Sequence, residues 1–264
     1  PEIGYGVFAS SWRAPIARFV FRRLSLLLPT TESLMSSTNR YSEYPREHAD
    51  GVLTHIPDLA VPHRVVPLGI ATGMWPMGPE VRQRVVLTVA YIRDERTFRV
   101  KGLDLFLAVA PMLPDVTFRV VGVVPEFAKS VAGHRPLAPN VELLPPRPQS
   151  ELVAQYQSAS VYAQLSRTEA LPNVVKEAMC CGCIPVGSAV VGIPEVIGDA
   201  GYIVETPELE TIAETLRAAL SNASPEGRVY ARQRILETFG NQRRKELLTD
   251  CLTEMVQSPT QDRS

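Results

Sequence analysis

The chain holds 264 residues, 45% of them hydrophobic and 21% charged, with a formal net charge of −1. That is enough chain for one large α/β domain or two smaller ones. Twenty-seven basic side chains against 28 acidic ones leave no whole-molecule electrostatic footprint for nucleic acid. Four cysteines are too few for a disulfide scaffold at this size and point to a reducing cytoplasm.

The chain opens on Pro1, and Pro-Glu-Ile-Gly has neither the basic opening nor the apolar run of a signal peptide. A truncated or processed chain is the expectation. Residues 11–28 have helical spacing, with Ile16, Phe19, Val20, Leu24, Leu27 and Leu28 on one apolar face. Arg18, Arg22 and Arg23 interrupt that run, so it cannot span a bilayer, which needs ~20 apolar residues. Two readings stand for it: an amphipathic helix packed on a sheet, which its scattered charges favour, or a segment lying on a membrane surface beside Trp12, Phe19 and Phe21. Residues 36–51 are polar and read as a loop, 61–70 as one strand, and 71–83, with two glycines and two prolines, as a linker.

From Arg84 onward, short valine-rich runs alternate with amphipathic ones. Residues 84–91, 116–122, 140–144, 160–165, 184–188 and 201–204 read as strands, too continuously apolar to be solvated on one face. Residues 102–113, 149–159 and 172–182 read as the helices between them, and 209–220, 225–239 and 242–256 as three more. Strands alternating with helices predict an α/β fold with a Rossmann-like doubly wound parallel sheet. The expected organisation is a remnant of an incomplete first domain plus linker over 1–75, a Rossmann-like domain over 76–240, and a carboxy-terminal helix and tail over 241–264.

The stretch from Ser166 to Val204 carries the chemistry. Glu169 ends a strand, in a loop that opens a helix, and Glu177 follows eight positions later inside that helix. Ligands of parallel sheets sit outside the carboxyl ends of the strands, where helix amino termini point. Two carboxylates there can accept hydrogen bonds from a polyhydroxylated ligand, and the backbone N–H groups of Ala170, Leu171 and Asn173 can meet its oxygens. Cys180, Cys181 and Cys183 read as small apolar residues where the helix meets the sheet, since neighbouring cysteines on a helix diverge and no histidine is near. His48, His55, His63 and His134 lack zinc or triad spacing. No Gly-x-Gly-x-x-Gly follows the first strand, which disfavours a nicotinamide cofactor.

The ordered set Glu169, Glu177, Ala178, Met179, Gly182, Pro185, Val186, Gly192, Pro194 and Glu195 resembles the donor-binding domain of retaining glycosyltransferases of the GT-B fold, the group 1 or family-four enzymes. The resemblance spans about residues 84–257. It implies a nucleotide-diphosphate sugar as donor, with UDP or GDP favoured, no further cofactor and no metal. It also implies a carbohydrate or glycolipid acceptor bound by the missing amino-terminal domain, a polysaccharide or glycolipid assembly role, and a cytoplasmic site that includes the inner membrane face. In its terms Glu169 contacts the sugar hydroxyls, Glu177 the ribose, and Ala170, Leu171, Asn173 and Val174 the sugar and diphosphate through the helix start. Lys101, next to Gly102, faces the departing diphosphate. Gly122 and Leu144 end the strands that border the base.

Two departures stand out. Relatives place Gly-Arg after the first strand, whereas this chain has Ala90-Tyr91; among Arg93, Arg96 and Arg99, Arg93 is the expected replacement for that diphosphate clamp. Val191 stands where relatives carry a glycine and narrows the expected sugar pocket. The alternatives are an epimerase or hydrolase of nucleotide sugars on the same fold, or a non-catalytic donor-binding scaffold.

Overall fold

The computed structural model describes Phe8, residues 10–134 and residues 136–257. Helix α1 spans Arg13–Phe21, a short antiparallel pair is formed by β1 (Ser37–Asn39) and β2 (His48–Asp50), and α2 spans Val52–His55. The remainder alternates: β3 (Gln83–Ile92), α3 (Glu95–Val100), α4 (Leu103–Val109), β4 (Thr117–Val123), α5 (Pro125–His134), β5 (Val141–Leu144), α6 (Gln149–Ser158), β6 (Ala159–Gln164), α7 (Asn173–Cys180), β7 (Ile184–Ser188), α8 (Ile193–Ile197) and β8 (Tyr202–Val204). Helices α9 (Leu209–Ser221), α10 (Pro225–Phe239) and α11 (Asn241–Gln257) complete the described chain.

Strands β3 to β8 form one parallel sheet in the order β5-β4-β3-β6-β7-β8. The chain winds outward from β3 in one direction and then returns to β6 on the other side, so the order reverses between β3 and β6. Such a reversal leaves a crevice at the carboxyl ends of the two strands. The sheet is buried because its strands are: Val85, Val86, Leu87, Val120, Val121, Val161, Tyr162, Ala163 and Val186 are all out of solvent. Helices α3, α4 and α9 pack among themselves, as do α6, α7 and α10, and together they cover this apolar sheet.

The fold corrects three expectations and adds a helix after β3. Helix α1 stops at Phe21 and buries only Ala14 and Ala17, whereas Ile16 and Phe19 are 57% and 56% exposed. The apolar face therefore does not pack on the sheet, and Leu24, Leu27 and Leu28 lie outside the helix. Residues 61–70 are not a strand, because Pro62 and Pro67 lack the N–H groups a ladder needs; only the isolated bridges Leu27 to His63 and Ile70 to Gly240 form. The polar stretch 36–51 contains β1 and β2, which carry no apolar alternation to announce them. The loop after β3 holds α3, started by a capping box in which Asp94 accepts from the Thr97 N–H at 2.7 Å and Thr97 Oγ1 accepts from the Asp94 N–H.

The amino-terminal segment is tied to the sheet domain at several places, among them Tyr44, which donates its hydroxyl to Glu208. Glu195, at the start of α8, accepts from the N–H and hydroxyl of Ser33 at 3.1 and 2.6 Å. Ile70 exchanges backbone hydrogen bonds with Phe239 and Asn241, and α11 reaches back to the same segment through Arg244 to the Pro67 carbonyl and Arg64 to Glu254, both at 2.8 Å. The arginine-rich composition finds a use in capping helices: Arg82 donates to the carbonyls of Tyr156 and Cys181, at the ends of α6 and α7, and Arg232 to that of Cys180. The three clustered cysteines are buried, and burial pushes the Cys180 and Cys183 thiols up to about 11 and about 12, as suits inert packing residues.

Candidate active site

The crevice at the β3/β6 reversal is where two distant parts of the chain meet. Lys101 closes α3, and Glu169 follows β6; the Lys101 ammonium donates to Glu169 Oε2 at 2.5 Å. The side chains are 32% and 17% exposed, so the pair is partly screened from water and still open to a ligand. Gly102 makes the approach possible. Its φ is +69°, and a Cβ would lie 1.9 Å from the Leu165 carbonyl oxygen, so only glycine lets the Lys101 turn lie flat on the β6 loop. Arg167 locks the two loops together. Its guanidinium forks onto both carboxylate oxygens of Asp104 at 2.7 and 2.8 Å and also donates to the Arg99 carbonyl.

Glu177 lies within α7, where Tyr156 donates its hydroxyl to Oε2 at 2.9 Å. Burial pushes the Glu177 carboxyl above its usual range, partly offset by that hydrogen bond and by the neighbouring Lys176 charge. Tyr156 is fully buried and meets Trp75 edge-on at 5.6 Å, so the acceptor geometry of Glu177 is fixed from behind. Helix α7 begins at Asn173 after Pro172 with no side-chain cap. The Ala170 and Leu171 N–H groups donate to no backbone acceptor among the described residues, just ahead of the helix's positive end. Asn173 is exposed and Val174 half-buried beside them.

The outer residues are placed differently. Gly122, in β4, has φ +113°, and a Cβ there would stand 2.2 Å from the Ala90 carbonyl oxygen. Leu144 is the last residue of β5 and is partly buried. Both lie at the carboxyl side of the strands, on the β4–β5 half of the sheet. Arg93 is exposed and turned to its neighbour Asp94 at 3.4 Å, and Arg99 pairs with Glu95 on α3. The arginine bound into the Lys101 turn is Arg167, two positions before Glu169, a placement that position relative to the glutamate could have signalled. Val191 takes φ +43°, costly for a β-branched side chain by about 1–3 kcal/mol. Gly192 follows so closely on the Ala170 carbonyl that a Cβ would come within 1.7 Å, so the Val191 loop and the α7 start form one wall.

Lys176 carries no signal in the sequence. It is fully buried, donates to the Leu68 carbonyl at 2.8 Å and lies 5.7 Å from the Phe239 ring centre, between the linker and the helices it joins. Burial lowers its pKa to about 8, with Arg244 adding to the shift and Glu177 opposing it. The charged form is thus penalised in the fold below pH 8, and the penalty lifts as pH rises towards the unfolded value near 10.5. Lys176→Met is expected to gain more stability at pH 7 than at pH 10, by about 2 kcal/mol. Urea melts of both chains at the two pH values check this; an equal gain at both would contradict it.

Among the described residues no three His, Cys, Asp or Glu side chains converge as a metal-ligand set, and no helix is long and apolar enough to cross a membrane.

A doubly wound sheet with a lysine–glutamate pair at its reversal, and a second glutamate on the following helix, defines an α/β domain of the GT-B type. The chain belongs to the family described as glycosyl transferases group 1, which matches residues 82–235. It is 31% identical over 149 residues to D-inositol 3-phosphate glycosyltransferase of Mycolicibacterium gilvum, a match covering 53% of this chain and 33% of that one. It is 30% identical over 166 residues to D-inositol 3-phosphate glycosyltransferase of Mycobacterium tuberculosis, covering 59% and 34%. The match thus spans about a third of the curated relatives. In three dimensions the chain resembles sucrose-phosphate synthase from Thermosynechococcus elongatus, with a TM-score of 0.73 at 17% identity over 94% of this chain and 62% of that one. HepE of Anabaena, solved with UDP, gives 0.72 at 14% identity over 93% and 68%.

Proposed function

We propose that this chain holds the donor in a retaining glycosyltransferase that moves a sugar from a UDP- or GDP-sugar to an acceptor hydroxyl without a metal. The observation that carries the reading is the Lys101–Glu169 pair at 2.5 Å, seated at the sheet reversal. An ammonium at that point is suited to take up the charge that grows on the diphosphate as its bond to the sugar breaks. Glu169 can then turn to the sugar hydroxyls, and Glu177, held by Tyr156, to the two ribose hydroxyls. The N–H groups of Ala170 and Leu171 at the α7 start suit the diphosphate and sugar oxygens. Gly122 and Leu144, at the carboxyl side of β4 and β5, border the place for the base.

In the reaction proposed, the acceptor oxygen forms a bond to the anomeric carbon on the face that the diphosphate leaves. The carbon–oxygen bond to phosphate breaks, and its electrons stay with the nucleoside diphosphate. The acceptor proton passes to a departing phosphate oxygen. Cations of the chain do the work that a divalent metal does in other transferases. The exposed Ile16, Phe19 and Val20 of α1, set among Arg13, Arg22 and Arg23, support a place for the protein at the cytoplasmic face of a membrane, where glycolipid or polysaccharide acceptors are assembled.

The test is the anomeric configuration of the product, read by NMR from transfer run in excess EDTA. Retention at an undiminished rate is expected. An inverted product, or activity that returns only with added manganese, would refute the mechanism; free sugar or an epimerised donor in place of a transfer product would favour the hydrolase or epimerase reading.

A further inference from the structure

Between the β1–β2 hairpin and the loop after β6, at Arg167 and Thr168, lies a cavity of about 210 Å³. Ser37, Asn39, Glu43 and Asp50 line it from the hairpin side, and Arg167 and Val191 from the edge of the sheet. It is smaller than the ~300–1,000 Å³ of a typical ligand pocket, a size for one ring and not for an extended chain.

One of its polar groups is left incomplete by the fold. Asn39 is only 8% exposed; its Oδ1 accepts from the Ser42 N–H at 3.2 Å, and its Nδ2 donates to no described protein atom. Polar groups so enclosed are normally satisfied, so this donor is available to a ligand or water in the cavity. The charges are equally one-sided. Arg167, the one guanidinium among the described wall residues, is already neutralised by its fork onto Asp104. Glu43 has no ion pair among the described residues. Asp50 accepts from the Gly51 N–H at 2.7 Å, with His55 3.8 Å away. His48, at the rim, is the remaining titratable group, so carboxylate charge prevails.

We infer that this cavity receives the acceptor as an uncharged polyhydroxylated ring and rejects a phosphorylated one. Ring hydroxyls donate to Glu43 and Asp50 and accept from Asn39, whereas a phosphate dianion meets two carboxylates and, among the described wall residues, no free cation. Val191, held at positive φ, lines the same cavity. The inference rests on the donor reading given above and adds the chemical class of the second substrate.

The experiment uses saturation-transfer NMR on the 264-residue chain saturated with UDP, with myo-inositol and myo-inositol 1-phosphate as size-matched probes. The neutral ring is expected to bind at least about tenfold more tightly than its phosphate ester, a ratio set by like-charge repulsion. The variant Glu43→Gln, Asp50→Asn is expected to narrow that ratio to about threefold or less; the single change Glu43→Gln serves if the double variant does not fold. Equal or tighter binding of the phosphate ester would overturn the inference, as would no binding of the neutral ring. Full displacement of the ring by UDP-glucose, but not by UDP, would assign the cavity to the donor's own sugar and overturn the acceptor reading. GDP replaces UDP in this experiment if only GDP binds; failure of both to bind strikes the proposed function, not the cavity's charge preference, and so separates the two.

Discussion

Lys101→Ala is expected to lower kcat/KM for sugar transfer by about 10²–10³, the usual loss when one preorganised group facing a developing negative charge is removed, ~3–4 kcal/mol. The physical reason lies in its setting. The ammonium is two-thirds shielded from water, stands 2.5 Å from a carboxylate, and is carried by a turn that Gly102 presses flat on the β6 loop and Arg167 clamps. Little reorganisation is needed for it to follow charge onto a phosphate. Binding of the nucleoside diphosphate should suffer with it, while the bare nucleoside, which offers no phosphate, should bind as before. Lys101→Arg keeps the charge and is expected to recover part of the rate. Steady-state kinetics, with titrations of nucleoside and nucleoside diphosphate, check this; equal losses for both ligands would remove Lys101 from the phosphate site. The variant also leaves Glu169 without its cation, so a circular-dichroism melt is needed to show that the fold survives.

Glu177→Ala is expected to weaken nucleoside and nucleoside diphosphate alike by about 30-fold, or about 2 kcal/mol, the scale of losing charge-assisted hydrogen bonds to a ribose. The Tyr156 hydroxyl is left buried without its acceptor in free and bound protein alike, so it costs fold stability and not affinity. Glu177→Gln restores an acceptor for Tyr156 and is expected to fall between the two. The raised pKa of Glu177 gives the effect a pH dependence of definite sign. The ionised form that grips the ribose is lost as pH falls through the raised pKa, so affinity drops on the acid side sooner than for an ordinary glutamate, and the alanine variant lacks that drop. Calorimetric titration of both chains across pH tests it; unchanged affinity in a folded Glu177→Ala protein would sink the ribose assignment.

The sheet is legible in the sequence because its central strands are short apolar runs buried on both faces, a pattern that needs no knowledge of neighbours. The helices that pack on it repeat at helical spacing and are legible for the same reason. What misleads is local chemistry acting without periodicity. Helix α3 is started by Asp94 and Thr97, a capping signal hidden in a stretch that looks like a longer loop, and α5 carries only a short apolar pattern. The apparent strand at 61–70 is apolar enough, but Pro62 and Pro67 deny it a ladder. Helix α1 shows the limit of amphipathicity as evidence: its apolar stripe exists, yet the fold buries Ala14 and Ala17 instead and leaves Ile16 and Phe19 in solvent.

At the site, Lys101, Glu169 and Glu177 are legible through the ordered motif that carries the family resemblance, since nothing in their spacing says that residues 101 and 169 touch. Parallel pairing of β3 with β6 brings them together, and that is a property of strand order. Arg93 is singled out by its nearness in sequence to the missing clamp, but its side chain faces Asp94, whereas Arg167 reaches the same turn from the other loop. The buried charge of Lys176 and the positive φ of Val191 depend on tertiary packing and leave no trace in composition or period.

The central claim is that the crevice between β3 and β6 is built for a nucleoside diphosphate. Calorimetric titration of the 264-residue chain with UDP, GDP, ADP and NAD, in the presence of EDTA, tests it most directly. The account predicts that one of the uridine or guanosine diphosphates binds with a defined stoichiometry and that Lys101→Ala abolishes the phosphate-dependent part. Binding of NAD in preference to all three diphosphates, or no binding of any of them by a folded sample, would contradict it.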